Sequence, residues 1–282
     1  IAVWAERRIM PGFPPVEPVG FDPSIPNEAR VYDYWLGGKN NFAADRRAAE
    51  MALQIAPELP MMCREGRKFM RRTVRFLAEA GIRQFVDIGC GLPTQGNVHE
   101  IAQRYAPDAR VVYVDYDPVV VNHGQALVED DERVVVIHGD VRDPDGLFAH
   151  PRLRGLVDLG EPVAVLLVGV LSTINDDDLT LAITRRLRQV ITPGSYIVIS
   201  HAVSDIRPEV TDKLSLLFAN EWAAKDDGRT RLPTRAEIPR LFEDLELVEP
   251  GLVLLPDWRP EPGRLRPPKN TVWSVGGVGR KR

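Results

Sequence analysis

Three aspartates recur in one order along the middle of the chain, each in or just after a short apolar run. They are Asp87 in Val86-Asp87-Ile88-Gly89-Cys90-Gly91, Asp115 in Val114-Asp115-Tyr116-Asp117-Pro118, and Asp140 in Gly139-Asp140-Val141. Glycines at 89 and 91 let the backbone approach a ligand at the carboxyl end of a strand, where open α/β sheets bind cofactors. A dinucleotide fingerprint wants a third glycine at position 94. The chain has Thr94 there, preceded by Pro93, which suits a cofactor without a close-packed pyrophosphate. A carboxylate at the next strand end, Asp115, can accept both ribose hydroxyls in charge-assisted hydrogen bonds. Asp117, directly before Pro118, reads as the cap of the following helix. Asp140 can take the exocyclic amine of adenine, or serve only a turn.

Other residue types could act on a second reactant. His201, placed just past a fifth apolar run, is the best general-base candidate because imidazole titrates near neutrality. Its competing reading is a polar loop residue or helix cap. Ser172 and Asp205 follow the fourth and fifth runs. Tyr32 and Trp35, at helical spacing, read as core in preference to a lid. Gly37-Gly38-Lys39-Asn40-Asn41 adds nothing to a core and reads as a loop over cofactor or substrate. Tyr32, Asp33, Tyr34, Lys39 and Asn40 are therefore candidate substrate or lid contacts. His99 reads as a surface or packing residue. The chain shows no Cys or His cluster, and Asp176-Asp177-Asp178 opens a helix whose dipole favours acidic residues, so no metal site is expected.

These side chains need elements to hold them. Pro11 to Pro26 is a proline-rich arm or lid. Helices are expected over Asn27–Leu36, Ala43–Ile55 and Met62–Ala80, giving an N-terminal helical cover over residues 1–80. The core, 81–282, alternates apolar strands (Gln84–Ile88, Arg110–Val114, Arg133–His138, Pro162–Val168, Tyr196–Ser200) with amphipathic helices (Val98–Tyr105, Val119–Val128, Leu147–Leu159, Asp176–Val190). That alternation means a parallel sheet covered on both faces. Near the end, a helix over Thr234–Phe242 leads to strands at Leu245–Leu255 and Thr271–Val278. The last two are joined without a helix and so are antiparallel neighbours.

Composition narrows the classes. The 282 residues are 44% hydrophobic and 27% charged, as in an ordinary globular protein. A net charge of −4 argues against a general nucleic-acid-binding surface, which needs excess Lys and Arg. Cys63 and Cys90 cannot form a disulfide framework and fit a reducing cytoplasm. No apolar run approaches the roughly 20 residues of a membrane span, and the first residues do not read as a signal peptide. Oligomeric state is not legible.

Asp87-Ile88-Gly89-Cys90-Gly91, Asp115 and Gly139-Asp140 resemble the motif series of class I (Rossmann-like) S-adenosylmethionine-dependent methyltransferases. More narrowly, the chain resembles the actinobacterial S-adenosyl methyltransferase family once catalogued as a domain of unknown function. The residues that carry this are Ala29 to Phe42 (ARVYDYWLGGKNNF), Gly91 to Glu100 (GLPTQGNVHE) and Glu249-Pro250-Gly251-Leu252. The likeness runs from about Pro26 to Arg280. It implies a seven-stranded, mostly parallel sheet with a C-terminal antiparallel hairpin. It also implies S-adenosyl-L-methionine as cofactor, around Asp87, Gly89, Gly91, Pro93, Thr94, Asp115, Tyr116, Asp140, Val141 and Ser172. Two positions depart from the family's tendency: Ser172-Thr173 where it carries His-Phe, and Gly66 where it carries Asn. The activity implied is methyl transfer to a small-molecule acceptor that the resemblance does not name. A cofactor-binding sensor without turnover and a nicotinamide-dependent oxidoreductase are the competing readings, the latter disfavoured by Thr94 and the hairpin.

Overall fold

The computed structural model describes residues 21–93, 96–221 and 232–282. The candidate ligand Thr94 and most of the proline-rich arm lie outside them. Three helices come first: α1 (Glu28–Trp35), α2 (Ala43–Ile55) and α3 (Leu59–Glu79). Asn27 caps α1 by accepting from the Ala29 amide. Helix α3 starts three residues earlier than expected, because Pro60 sits in its first turn, where a missing N–H costs nothing.

Then β1 (Gln84–Ile88), α4 (Val98–Tyr105), β2 (Arg110–Asp115), α5 (Pro118–Leu127), β3 (Val134–His138), α6 (Pro144–Ala149), α7 (Pro151–Leu156), β4 (Ala164–Val168), α8 (Asp177–Val190) and β5 (Tyr196–Ala202) alternate as expected. The helix expected over Leu147–Leu159 is two short ones, interrupted at His150 and restarted by Pro151, which fits a first turn but not a helix interior. Helix α9 (Pro208–Glu221) was not expected, although Pro208 begins it and Val210, Leu214, Leu217 and Phe218 have helical spacing.

The C-terminal part departs most. Thr234–Phe242 is a turn followed by a short 3-10 helix, Ile238–Leu241, not an α-helix. Glu237 accepts from both the amide and hydroxyl of Thr234, so the local capping contact forms without the helix to cap. The strand expected over Leu245–Leu255 is two pieces, β6 (Glu246–Leu247) and β7 (Val253–Leu254). Pro250 has no amide to donate and Gly251 turns at φ 84, so the ladder breaks between them. Both pieces pair antiparallel with β8 (Ser274–Arg280), whose other edge pairs antiparallel with β5.

The sheet order is β3-β2-β1-β4-β5-β8-β6, with β7 beside β6 on the edge of β8. Strands β1 to β5 are mutually parallel, so their carboxyl ends share one edge. Alternate side chains feed two apolar layers. Val86, Ile88, Val112, Val165 and Ile197 face one. Phe85, Val111, Leu166 and Val198 face the other, beneath α3 and α4. The cover is joined to the far strands by a third cluster, in which Ala52, Leu59, Leu214 and Trp273 meet.

Candidate cofactor and acceptor site

Strand β1 ends in a loop that only glycine can make. Gly89 has φ +70, and a Cβ there would lie 2.4 Å from Val170 Cγ2. Gly91 has φ +66 with nothing within 4 Å of its Cβ position, leaving its exposed side open to a ligand. The Gly89 amide donates to Val114 O (2.8 Å), which holds the loop against β2.

Asp87 and Asp115 lie under this loop, 6% and 4% exposed. Asp115 Oδ2 accepts from the Gly91 amide (2.9 Å) and Oδ1 from the Asp117 amide (3.0 Å). Burial pushes Asp115 up to about 6 against the pull of these amides. Burial also pushes Asp87 up to about 7, opposed by the charge of Arg67 and helped by that of Asp115.

Arg67 is the residue that sequence reasoning missed. It sits on α3, where it reads as one more arginine on a polar stripe. Folding brings its Nη2 to Gly96 O (3.3 Å), and its Nε is buried with no partner among the described residues. Arg67, Asp87, Cys90, Gly91, Pro93 and Asn97 line one cleft. An unpaired buried guanidinium N–H is costly unless an anionic group meets it. Beside it, Asp87 can receive an ammonium and Asp115 a diol. The donor set thus fits an amino-acid zwitterion joined to a nucleoside.

The remaining candidates divide. Asp117 caps α5, accepting from the Val119 amide (2.7 Å), as expected. Tyr116 is committed to the cover: its hydroxyl donates to Glu28 Oε2 (2.6 Å) and accepts from Asn27 Nδ2 (2.8 Å). Asp140 is engaged by Arg142, whose Nη2 donates to Oδ2 at 2.6 Å while its amide reaches Oδ1 at 2.9 Å. Burial works to raise the Asp140 pKa, but these bonds outweigh it and hold the carboxyl below its ordinary range. Asp140 is therefore the weakest candidate among the three strand-end acids. Val141 is buried in the apolar layer with Ile137 and Leu147.

Past the ends of β4 and β5, Ser172 lies in a 3-10 turn after β4, and its Oγ accepts from the Ala202 amide (3.0 Å), closing β4 onto β5. His201 is not past the fifth strand but inside it, paired with Val275 and 1% exposed. Strand β5 runs two residues longer than its apolar run because β8 supplies a ladder partner for Ala202. Nδ1 of His201 lies 2.6 Å from Ala202 O, and since a carbonyl only accepts, that nitrogen carries the proton.

In the cover, Asp33 is 3% exposed and organises the Gly37–Asn41 loop. Its Oδ2 accepts from the Asn40 amide and from Asn41 Nδ2, both at 2.9 Å. A Cβ on Gly38 would lie 2.0 Å from Asp33 Oδ1, so that glycine is required by the carboxylate. Tyr32 donates to Cys63 O (2.8 Å), tying α1 to α3, and Tyr34 bonds Glu50 of α2. Trp35 packs with Ala49, Leu53 and Leu59 neighbours, as a core residue. Lys39 and Asn40 are exposed. Among the described residues, no group of three or more His, Cys, Asp or Glu could hold a metal ion, and no helix is long and apolar enough to cross a membrane.

The chain is similar along nearly its whole length to known proteins. A model of a family described as S-adenosyl methyltransferase matches residues 16–282. A crystal structure of a candidate methyltransferase from Thermobifida fusca YX is 43% identical, with a TM-score of 0.83 over 92% of this chain and 96% of that one. A DUF574 family protein from Streptomyces avermitilis is 37% identical, with a TM-score of 0.85 over 93% and 99%. The N-methyltransferase NodS from Bradyrhizobium japonicum, in complex with S-adenosyl-L-homocysteine, shares the fold at 13% identity and a TM-score of 0.50, over 89% and 98%. No curated protein matches. With this sheet order and this glycine loop, the chain belongs to the S-adenosyl methyltransferase family, and S-adenosylmethionine is its cofactor.

Proposed function

We propose that the protein transfers a methyl group in line to a small-molecule acceptor held above the ends of β4 and β5. The observation that carries the cofactor end is the buried, unpartnered Nε of Arg67 beside Asp87 at the Gly89–Gly91 loop. When bound, S-adenosylmethionine supplies a methyl group made electrophilic by the sulfonium. The chain's own residues then bind and orient. Arg67 takes the carboxylate of the methionine part, Asp87 its ammonium, and Asp115 the ribose hydroxyls, with Gly89, Gly91 and Pro93 forming the loop around them. The adenine end falls to Asp140 and Val141, with Arg142 competing for Asp140.

Catalysis on this reading comes from positioning, which contributes up to ~7–11 kcal/mol in well-oriented reactions. Helices α1, α2 and α9 and the start of α3 pack together with Ala202 at the end of β5 and with Trp273, which supports a small acceptor over a polymer. The Gly37–Asn41 loop, with Lys39 and Asn40 outward, forms the rim that meets the acceptor. Tyr32, Asp33 and Tyr34 act one layer behind, by holding that loop and α1 in place. Ser172 sets the β4–β5 floor. The burial of His201 makes it a poor base for a solvent-borne acceptor, so its part is secondary.

Calorimetric titration with S-adenosylhomocysteine tests the site. Asp115→Ala should weaken binding about a hundred-fold, the loss of two charge-assisted hydrogen bonds. Unchanged affinity in that variant would sink the assignment.

A further inference from the structure

Beyond the cofactor site, a second cleft lies on the opposite flank of α3. Its walls are Pro256, Pro260, Glu261, Pro262, Gly263, Arg264 and Arg266, and its volume is ≈ 280 Å³. The loop that builds it connects β7 to β8 and packs on α3. Arg72 Nε and Nη2 donate to Trp258 O (2.7 Å) and Leu255 O (2.6 Å), while Phe69 and Phe76 meet Trp258 edge-on. Because β8 runs antiparallel to β5, this loop emerges at the sheet edge that carries the glycine loop.

The charge balance around the cleft is uneven. Arg264 bonds Glu65 through Nη2, and Lys68 Nζ reaches the same carboxylate (3.0 Å). Arg71 lies 3.5 Å from Glu261, and Arg266 lies 3.3 Å from Asp257. With Arg72, five cationic side chains share three carboxylates. Burial, and then the charge of Arg264, pull Arg72 down to about 10, as expected where cations crowd. Arg264 is 15% exposed, lines the cleft, and keeps Nη1 buried with no partner among the described residues. A desolvated guanidinium N–H is stabilised by an anionic oxygen, and arginine is the side chain best shaped to hold carboxylate or phosphate. Three prolines beside it offer apolar wall to the body of such a molecule.

We propose that this cleft binds the carboxylate or phosphate group of a small organic molecule, with Arg264 as the principal ligand and Arg266 at the rim. The volume exceeds what a bare inorganic anion fills and falls just under the ~300 Å³ of small ligand pockets. Glu261, in the wall, opposes the anion and limits its charge.

The full chain is titrated calorimetrically with inorganic phosphate, acetate and phenyl phosphate. Phenyl phosphate should bind about ten-fold more tightly than inorganic phosphate, through apolar contact with the prolines. Arg264→Gln should weaken phenyl phosphate binding about ten-fold, and the exposed Arg266→Gln about two-fold. Glu261→Gln should strengthen it. Arg266→Gln and Glu261→Gln leave the buried Glu65 pair intact, so they report even if Arg264→Gln folds poorly. S-adenosylhomocysteine titrations should be unchanged in Arg266→Gln and Glu261→Gln, which separates this site from the cofactor site. No binding of any of the three anions, equal binding of phenyl and inorganic phosphate, or an affinity indifferent to all three substitutions would overturn the proposal.

Discussion

Two groups of buried aspartates carry opposite work. In the cover, Asp33 and Asp45 are saturated by the chain. Asp45 accepts from the Asn27 amide (2.9 Å) and the Phe42 amide (2.7 Å), and Arg30 stands 3.5 Å away. In the core, Asp115 accepts two amides, yet burial still pushes it up to about 6, and Asp87 has no hydrogen-bond donor among the described residues. Similar burial therefore marks a scaffold in one place and an unfilled demand in the other. Asp45 and Asp115 each accept two backbone amides, so the distinction lies in the cation: Arg30 stands beside Asp45, and among the described residues no cation pairs with Asp115.

Arg30 joins the cover to the core through Asp45 and Asp117. It is 4% exposed, 3.5 Å from Asp45 and 3.3 Å from Asp117, with its guanidinium over Phe21 and Phe42. Arg30→Met should break the comparison outright. Two buried carboxylates lose their cation, and stability should fall by about 3–5 kcal/mol in urea titrations. Next is Gly89→Ala, where both the left-handed backbone and the contact with Val170 oppose a methyl. The expected loss is about 2–4 kcal/mol, and Gly89→Ala with Val170→Ala should recover only the contact part. Arg67→Ala should leave stability near wild type but weaken S-adenosylhomocysteine binding about ten-fold.

Asp87→Asn sharpens the contrast through pH. The folded pKa of Asp87 is raised, so the native state holds its proton where the unfolded chain has released it. Its effect is to lower stability as pH rises from 3.8 to about 7. Asp87→Asn should remove that slope in thermal melts across this window, whereas a slope unchanged by the substitution would contradict the assignment. The smallest effect is Lys39→Ala: exposed, it should alter stability by less than about 0.5 kcal/mol and register only in turnover.

Where local signals sufficed, sequence and structure coincide. Apolar runs bounded by Gly or Pro marked β1 to β5, and Asp117 before Pro118 marked the α5 cap. They failed where a partner decided the outcome. His201 became a strand residue because β8 lies beside it. Leu245–Leu255 split at Pro250 and Gly251, a local signal that was present in the sequence. Helix α9 carries an apolar stripe, Val210, Leu214, Leu217 and Phe218, that is legible in the sequence.

The sequence alone determined the alternating strands and helices, the order of the acidic strand ends, and the glycine loop, since each follows from residues a few positions apart. Tertiary structure decided the rest. Arg67 meets Gly96 across 29 positions, Asn27 meets Tyr116 across 89, and Arg72 meets Trp258 across 186. Local propensity carries no information about which distant backbone a long cationic or amide side chain will find. Only the packing of α1 and α3 onto the sheet turns these residues into a latch, a candidate ligand and a brace.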